Sequence, residues 1–132
     1  MYYLYLFKFI DNTDSSLWFK IGITKNVDRR MKEIFKDINA EGPLELQTAS
    51  ADIDMKEIKR IEQSALKLFP PEDFDNRDKT SGSTEMRLLR KDGKKYRRYK
   101  HVKEAFNIAC KYAERRGIRT NKQLPPRSCN IM

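Results

Sequence analysis

Residues 2–24, YYLYLFKFIDNTDSSLWFKIGIT, decide how the chain is read. Residues 2–10 are a dense aromatic and β-branched run, residues 18–24 are a second, and the polar stretch 11–16 separates them. That is the signature of two antiparallel strands joined by a surface loop. Gly22 is the one glycine in either run, and a glycine inside a strand marks a bulge or a close approach by another group. Residues two apart share a face of a strand, so Tyr3 and Tyr5 project together, as do Lys20 and Gly22.

Working outward, Asn26 is placed to cap a helix, with Asp28 in its first turn. Val27, Met31, Ile34, Phe35 and Ile38 recur at helical spacing. Gly42-Pro43 is expected to close this segment, and the alternation over 44–49 predicts a third short strand. Asp54 with Glu57 three residues on opens a second helix, running to about Phe69 and stopped by Pro70-Pro71. Residues 70–83 read as a polar loop and 84–90 as a strand. Asp92-Gly93 is a hairpin turn leading into a strand over 94–99. A last helix is expected over 101–116, ended by Gly117. The order ββαβα followed by ββα predicts an α+β fold: a small antiparallel or mixed three-stranded sheet flanked by helices, with a basic β-hairpin and helix extension. Residues 1–90 form the expected main unit, 91–117 the hairpin and helix packed on it, and 118–132 a basic tail.

The chain has 132 residues, enough for one domain. Charged residues make up 36%, and the mean hydropathy of −0.81 leaves no apolar run of the roughly 18 residues a membrane span needs. The N-terminus reads as a strand and not as a signal peptide. Cys110 and Cys129 provide neither a disulfide framework nor metal-ligand spacing, so a cytoplasmic setting is expected. Charge is distributed unevenly: residues 1–84 hold 13 basic against 15 acidic residues, and residues 85–132 hold 15 against 4. Such a basic half, interleaved with Tyr96, Tyr99, Phe106 and Tyr112, is a footprint for a polyanion, most often nucleic acid. The other reading is a solvated segment that maintains solubility.

Two helical positions are out of place. On the second helix Glu62 falls within the apolar arc of Ile58, Ile61, Ala65, Leu66 and Phe69, where a carboxylate is costly unless paired, hydrogen-bonded or metal-bound. A slight rotation of the helix would instead leave it at the rim beside a lysine. On the first helix Arg30 flanks the apolar face while Arg29 points away; Arg30 either reaches over the end of the sheet or packs its stem on the core edge. His101, the one histidine, sits in the basic segment, so Ser-His-Asp or Cys-His chemistry has little support.

Tyr3-Leu4-Tyr5 and Lys20-Ile21-Gly22 resemble the paired signatures of the GIY-YIG nuclease superfamily, closest to its KIG-type branch of phage DNA-binding and nuclease domains. Arg30, eight residues after Gly22, Ile61-Glu62 with Phe69 seven residues on, and Thr84-Glu85-Met86 resemble its later elements. Tyr3 stands where the first signature has glycine, Lys20 where the second has tyrosine, and Leu66 where the glutamate helix often has histidine. The resemblance implies a metal-dependent DNA endonuclease: Tyr5 the general base assisted by Tyr3, Lys20 the cation beside it, Arg30 the phosphate clamp, and Glu62 the ligand of one Mg²⁺ or Mn²⁺. Arg87, Arg90, Lys91, Lys94, Lys95, Arg97, Arg98, Lys100 and Lys103 would follow the DNA backbone. The alternatives are a DNA-binding module of the same fold that cleaves nothing, or a basic partner-docking protein. No coiled-coil seam decides between monomer and homodimer.

Overall fold

The computed structural model describes residues 2–51, 54–69, 86–115 and 120–123. Strands β1 (Tyr2–Asp11) and β2 (Ser16–Thr24) form the expected hairpin, followed by helix α1 (Val27–Asp37), strand β3 (Ala40–Ala51) and helix α2 (Met55–Leu66). Strands β4 (Met86–Lys91) and β5 (Lys94–Lys95), helix α3 (Tyr99–Arg115) and strand β6 (Thr120–Gln123) complete the described chain. One antiparallel sheet runs β5-β4-β2-β1-β3-β6. The fold is α+β, with the three expected strands at its centre and the basic hairpin continuing the β2 side.

β1 lies in the middle and is covered on both faces, which explains its nearly unbroken apolar sequence. Leu4 and Leu6 pack with Phe19, Ile21 and the inner faces of α2 and α3, including Ile58, Ile61, Val102 and Phe106. Tyr5, Phe7 and Phe9 face the other way, with Trp18 and with Met31 and Ile34 of α1. At about 25 cal/mol per Å² of apolar area, these two clusters supply the main drive to fold. α3 therefore shares a core with β1, β2 and α2. The loop between the first two strands is shaped by its aspartates: Thr13 N donates to Asp11 Oδ1 at 2.9 Å and Ser16 N to Asp14 Oδ1 at 3.0 Å.

Three sequence expectations change. Gly42-Pro43 does not end the segment before β3 but lies inside it, beside a register shift between Lys8 and Ile10. A Cβ at Gly42 would meet Phe9 Cβ at 2.9 Å and Phe35 Cζ at 3.0 Å, so the glycine makes room for packed rings. The strand expected over 94–99 stops at Lys95 because Tyr96 N and Arg97 N both donate to Leu89 O and turn the chain off the sheet into α3. Within the expected tail, residues 120–123 add an edge strand on β3. The expected loop over 70–83, Thr84-Glu85 and Gly117 lie outside the described residues.

Candidate active site

The floor of the site is set by strand register. Tyr5 is directly opposite Gly22, and Phe7 opposite Lys20. With no side chain at Gly22, the Tyr5 phenol lies across it; a Cβ there would run into the hydroxyl and ring of Tyr5 and come within 3.0 Å of Lys20 Nζ. Lys20 is fully buried, its Nζ 5.3 Å from the Tyr5 ring centroid, a cation–π placement that offsets part of its desolvation. Lys20 thus sits beside Tyr5, behind the surface.

α1 brings the arginine. Asn26 caps it by accepting from Arg29 N at 3.0 Å, and this sets the helix phase. Arg29 is turned to solvent beside Glu33, whereas Arg30 is half-buried, with Nη1 3.4 Å from Glu33 Oε1. Burial works against the Arg30 charge, but its hydrogen bond to Tyr5 and the Glu33 carboxylate outweigh that and raise its pKa above the ordinary guanidinium value.

α2 brings the carboxylate. Its cap, Asp54, accepts from Glu57 N at 2.9 Å, and the apolar arc of Ile58, Ile61, Ala65 and Leu66 turns Glu62 inward with it. Glu62 is 0% exposed. Its Oε1 accepts from Gln63 Nε2 at 3.1 Å and lies 3.6 Å from Lys59 Nζ.

Tyr5, Arg30 and Glu62 line one cleft of about 630 Å³, together with Ile23, Thr24, Met55, Lys56 and Lys59. Tyr3 shares a face of β1 with Tyr5 but does not line this cleft, and Leu66 is packed into the core. Lys56 and Lys59 escaped the sequence reading; their spacing of three from each other and from Glu62 puts them on one stripe of α2, a signal present in the helical wheel. Among the described residues Glu62 is the one acidic residue lining the cleft, and they contain no cluster of three metal-ligating side chains.

The basic residues divide. Arg90, Lys94, Lys95, Arg98 and Lys100 are exposed, and Lys91 is half-buried. Arg87 requires correction as a nucleic-acid contact: it is buried, its Nε donating to Phe69 O at 2.6 Å and its Nη1 to Met86 O at 3.1 Å. Its guanidinium ties the end of α2 to β4. Arg87→Ala is expected to cost about 2–4 kcal/mol of folding stability, because buried carbonyls lose a charged donor; urea denaturation measures this. Arg97 and Lys103 are also held from within. Arg97 Nη1 donates to Leu88 O at 2.6 Å over the rings of Phe19 and Phe69, and Lys103 Nζ lies 3.5 Å from Glu45.

An antiparallel sheet between helices, with a tyrosine, an arginine and a glutamate in one cleft and a basic sheet edge, defines a small α+β domain. Residues 2–115 match the family model described as the T5orf172 domain, and the chain belongs to that phage-associated family. The match runs through α3, across the 90/91 division expected from sequence. No curated protein and no solved structure matches the chain. Among the described residues no helix is long and apolar enough to cross a membrane.

Proposed function

We propose that the chain is a metal-dependent DNA endonuclease of the GIY-YIG type that hydrolyses phosphodiester bonds. The observation that carries this reading is that Tyr5, Arg30 and Glu62, from three separate elements, line a single open cleft. Tyr5 Oη takes the proton of the attacking water, with Tyr3, paired to Thr24 at the cleft wall, assisting from the same face of β1. Arg30 holds the scissile phosphate; a guanidinium has five N–H donors, so it grips two phosphate oxygens while keeping its bond to Tyr5. Lys20 fixes the phenol from below and adds positive field where negative charge gathers. Glu62 would hold the divalent cation, Mg²⁺ or Mn²⁺. One hard carboxylate in a roomy, open cleft suits an ion that keeps most of its waters, and the chemistry it supplies when bound is charge neutralisation at the leaving oxygen. Lys56 and Lys59, on the α2 wall, are placed to meet flanking phosphates.

A second reading is a DNA-binding module that cleaves nothing, favoured by the burial of Leu66 in the core at the position where a histidine is often found. Incubation with supercoiled plasmid and Mg²⁺ separates the two. Nicking is expected from the native protein, with Tyr5→Phe and Arg30→Ala each slower by about 10²-fold or more and Tyr5→Phe still retarding plasmid on a gel. Retardation without nicking by the native protein would establish the binding module instead.

A further inference from the structure

The β4–β5 ribbon carries a charge pattern that opposes its own folding. Its register sets Arg90 against Lys95 and Lys91 against Lys94, so both cross-strand pairs are cation facing cation. Like charges directly opposite destabilise a ladder, and β5 is only two residues long. Arg90, Lys94 and Lys95 are exposed. Among the described residues Asp14 is the carboxylate paired with this ribbon, 3.8 Å from Lys91. Two shallow clefts flank it: one of about 550 Å³ has Arg90, Lys91 and Lys95 beside Asp14 and Asp92, and one of about 180 Å³ has Arg90, Lys95, Arg97 and Arg98 over Leu17, Leu89 and Tyr99.

The ribbon is separate from the candidate active site. Arg90 pairs with Leu17 and Tyr5 with Gly22, five residues apart along β2. At about 3.4 Å per residue that is about 17 Å. Among the described residues none lines both the Tyr5 cleft and either ribbon cleft. The chemistry of the ribbon also selects its ligand. Protein-binding patches have aromatic, charge-depleted centres, but here the large exposed apolar side chain is Tyr96, with Lys94 Nζ 5.0 Å from its ring centroid. The exposed cations Arg90, Lys94, Lys95 and Arg98 form a row that suits a row of phosphates.

We propose that the β4–β5 ribbon is an anchoring surface for the DNA backbone, distinct from the cleft and about five nucleotide steps from it at about 3.4 Å per step. This rests on the reading that the ligand is DNA. The ribbon gives up ladder stability for this contact, so neutralising it moves stability and binding in opposite directions.

The test compares the native protein with Lys94→Thr/Lys95→Thr and with Arg98→Gln, by thermal melting and by fluorescence anisotropy with a 20-base-pair duplex, without divalent ions. In the double variant Tm is expected to rise by about 2–5 °C. Its duplex affinity is expected to fall about tenfold, and the slope of log affinity against log salt to become shallower by about 2. Arg98→Gln lies outside the ladder and is expected to lose affinity with no gain in Tm. A double variant with unchanged affinity and salt slope overturns the anchor, and one with a lower Tm overturns the electrostatic strain. Polyglutamate competing as well as DNA overturns the choice of ligand. Because no cutting occurs in this assay, a cleft that never cleaves leaves these readings intact. A native protein that binds no duplex at low salt removes the DNA reading itself.

Discussion

Gly22→Ala is expected to abolish plasmid nicking, lowering its rate by at least about 10²-fold, the scale of losing a positioned general base. The added methyl would occupy the space of the Tyr5 hydroxyl and ring end. Tyr5 is 1% exposed, and its backbone is held by β2 on one side and β3 on the other, so the ring has little room to retreat. It has to rotate away from Arg30, and the cleft loses the proposed base and its hydrogen bond together. The cost to folding is expected to be about 1–3 kcal/mol, the usual penalty of overpacking. Gly42→Ala is the matched control. It crowds Phe9 and Phe35 instead of Tyr5, so it is expected to cost a similar amount in urea denaturation while nicking persists. Equal loss of nicking in both variants would show that Gly22 acts only through stability.

Glu62→Gln is expected to reduce Mg²⁺-dependent nicking to background while Tm stays level or rises. Taking a carboxylate out of water costs several kcal/mol unless its partners repay it, and Glu62 is 0% exposed. Glutamine has the same shape, retains an acceptor for Gln63, and carries no charge to desolvate. Lys59 loses its counter-ion but is half exposed and re-solvates readily. Lost nicking together with a large fall in Tm would mean that the acid serves the fold. Persistent nicking would remove it from the chemistry. Lost nicking at constant Tm is the pattern of a group kept for function at the expense of stability.

Much of this was legible in residue order because the decisive signals are local. The polar break over 11–16 defined the first hairpin, Asn26 and Asp54 started both helices where expected, and helical phase put Arg30 at the flank of one apolar face and Glu62 within the other. Other features resisted reading because nothing local encodes them. Arg87 and Arg90 look equivalent in a basic strand; one is buried because the Phe69 carbonyl, 18 residues earlier, lies within its reach. Gly42 looked like a segment end, but two aromatic rings pack against it. The polar strand 120–123 has no apolar alternation, and only the open edge of β3 gives it a partner.

By itself the sequence determined the strand and helix phases, the α+β order, the basic second half, and the unusual positions of Arg30 and Glu62 on their helices. Those properties follow from periodicities of two and 3.6 residues and from caps, all set within a few positions. Tertiary structure alone decided that Tyr5, Arg30 and Glu62 share one cleft, that Lys56 and Lys59 line it, and that the basic ribbon lies about 17 Å along the sheet. Strand register and helix packing join residues tens of positions apart, and a one-residue slip in register would have reversed every face.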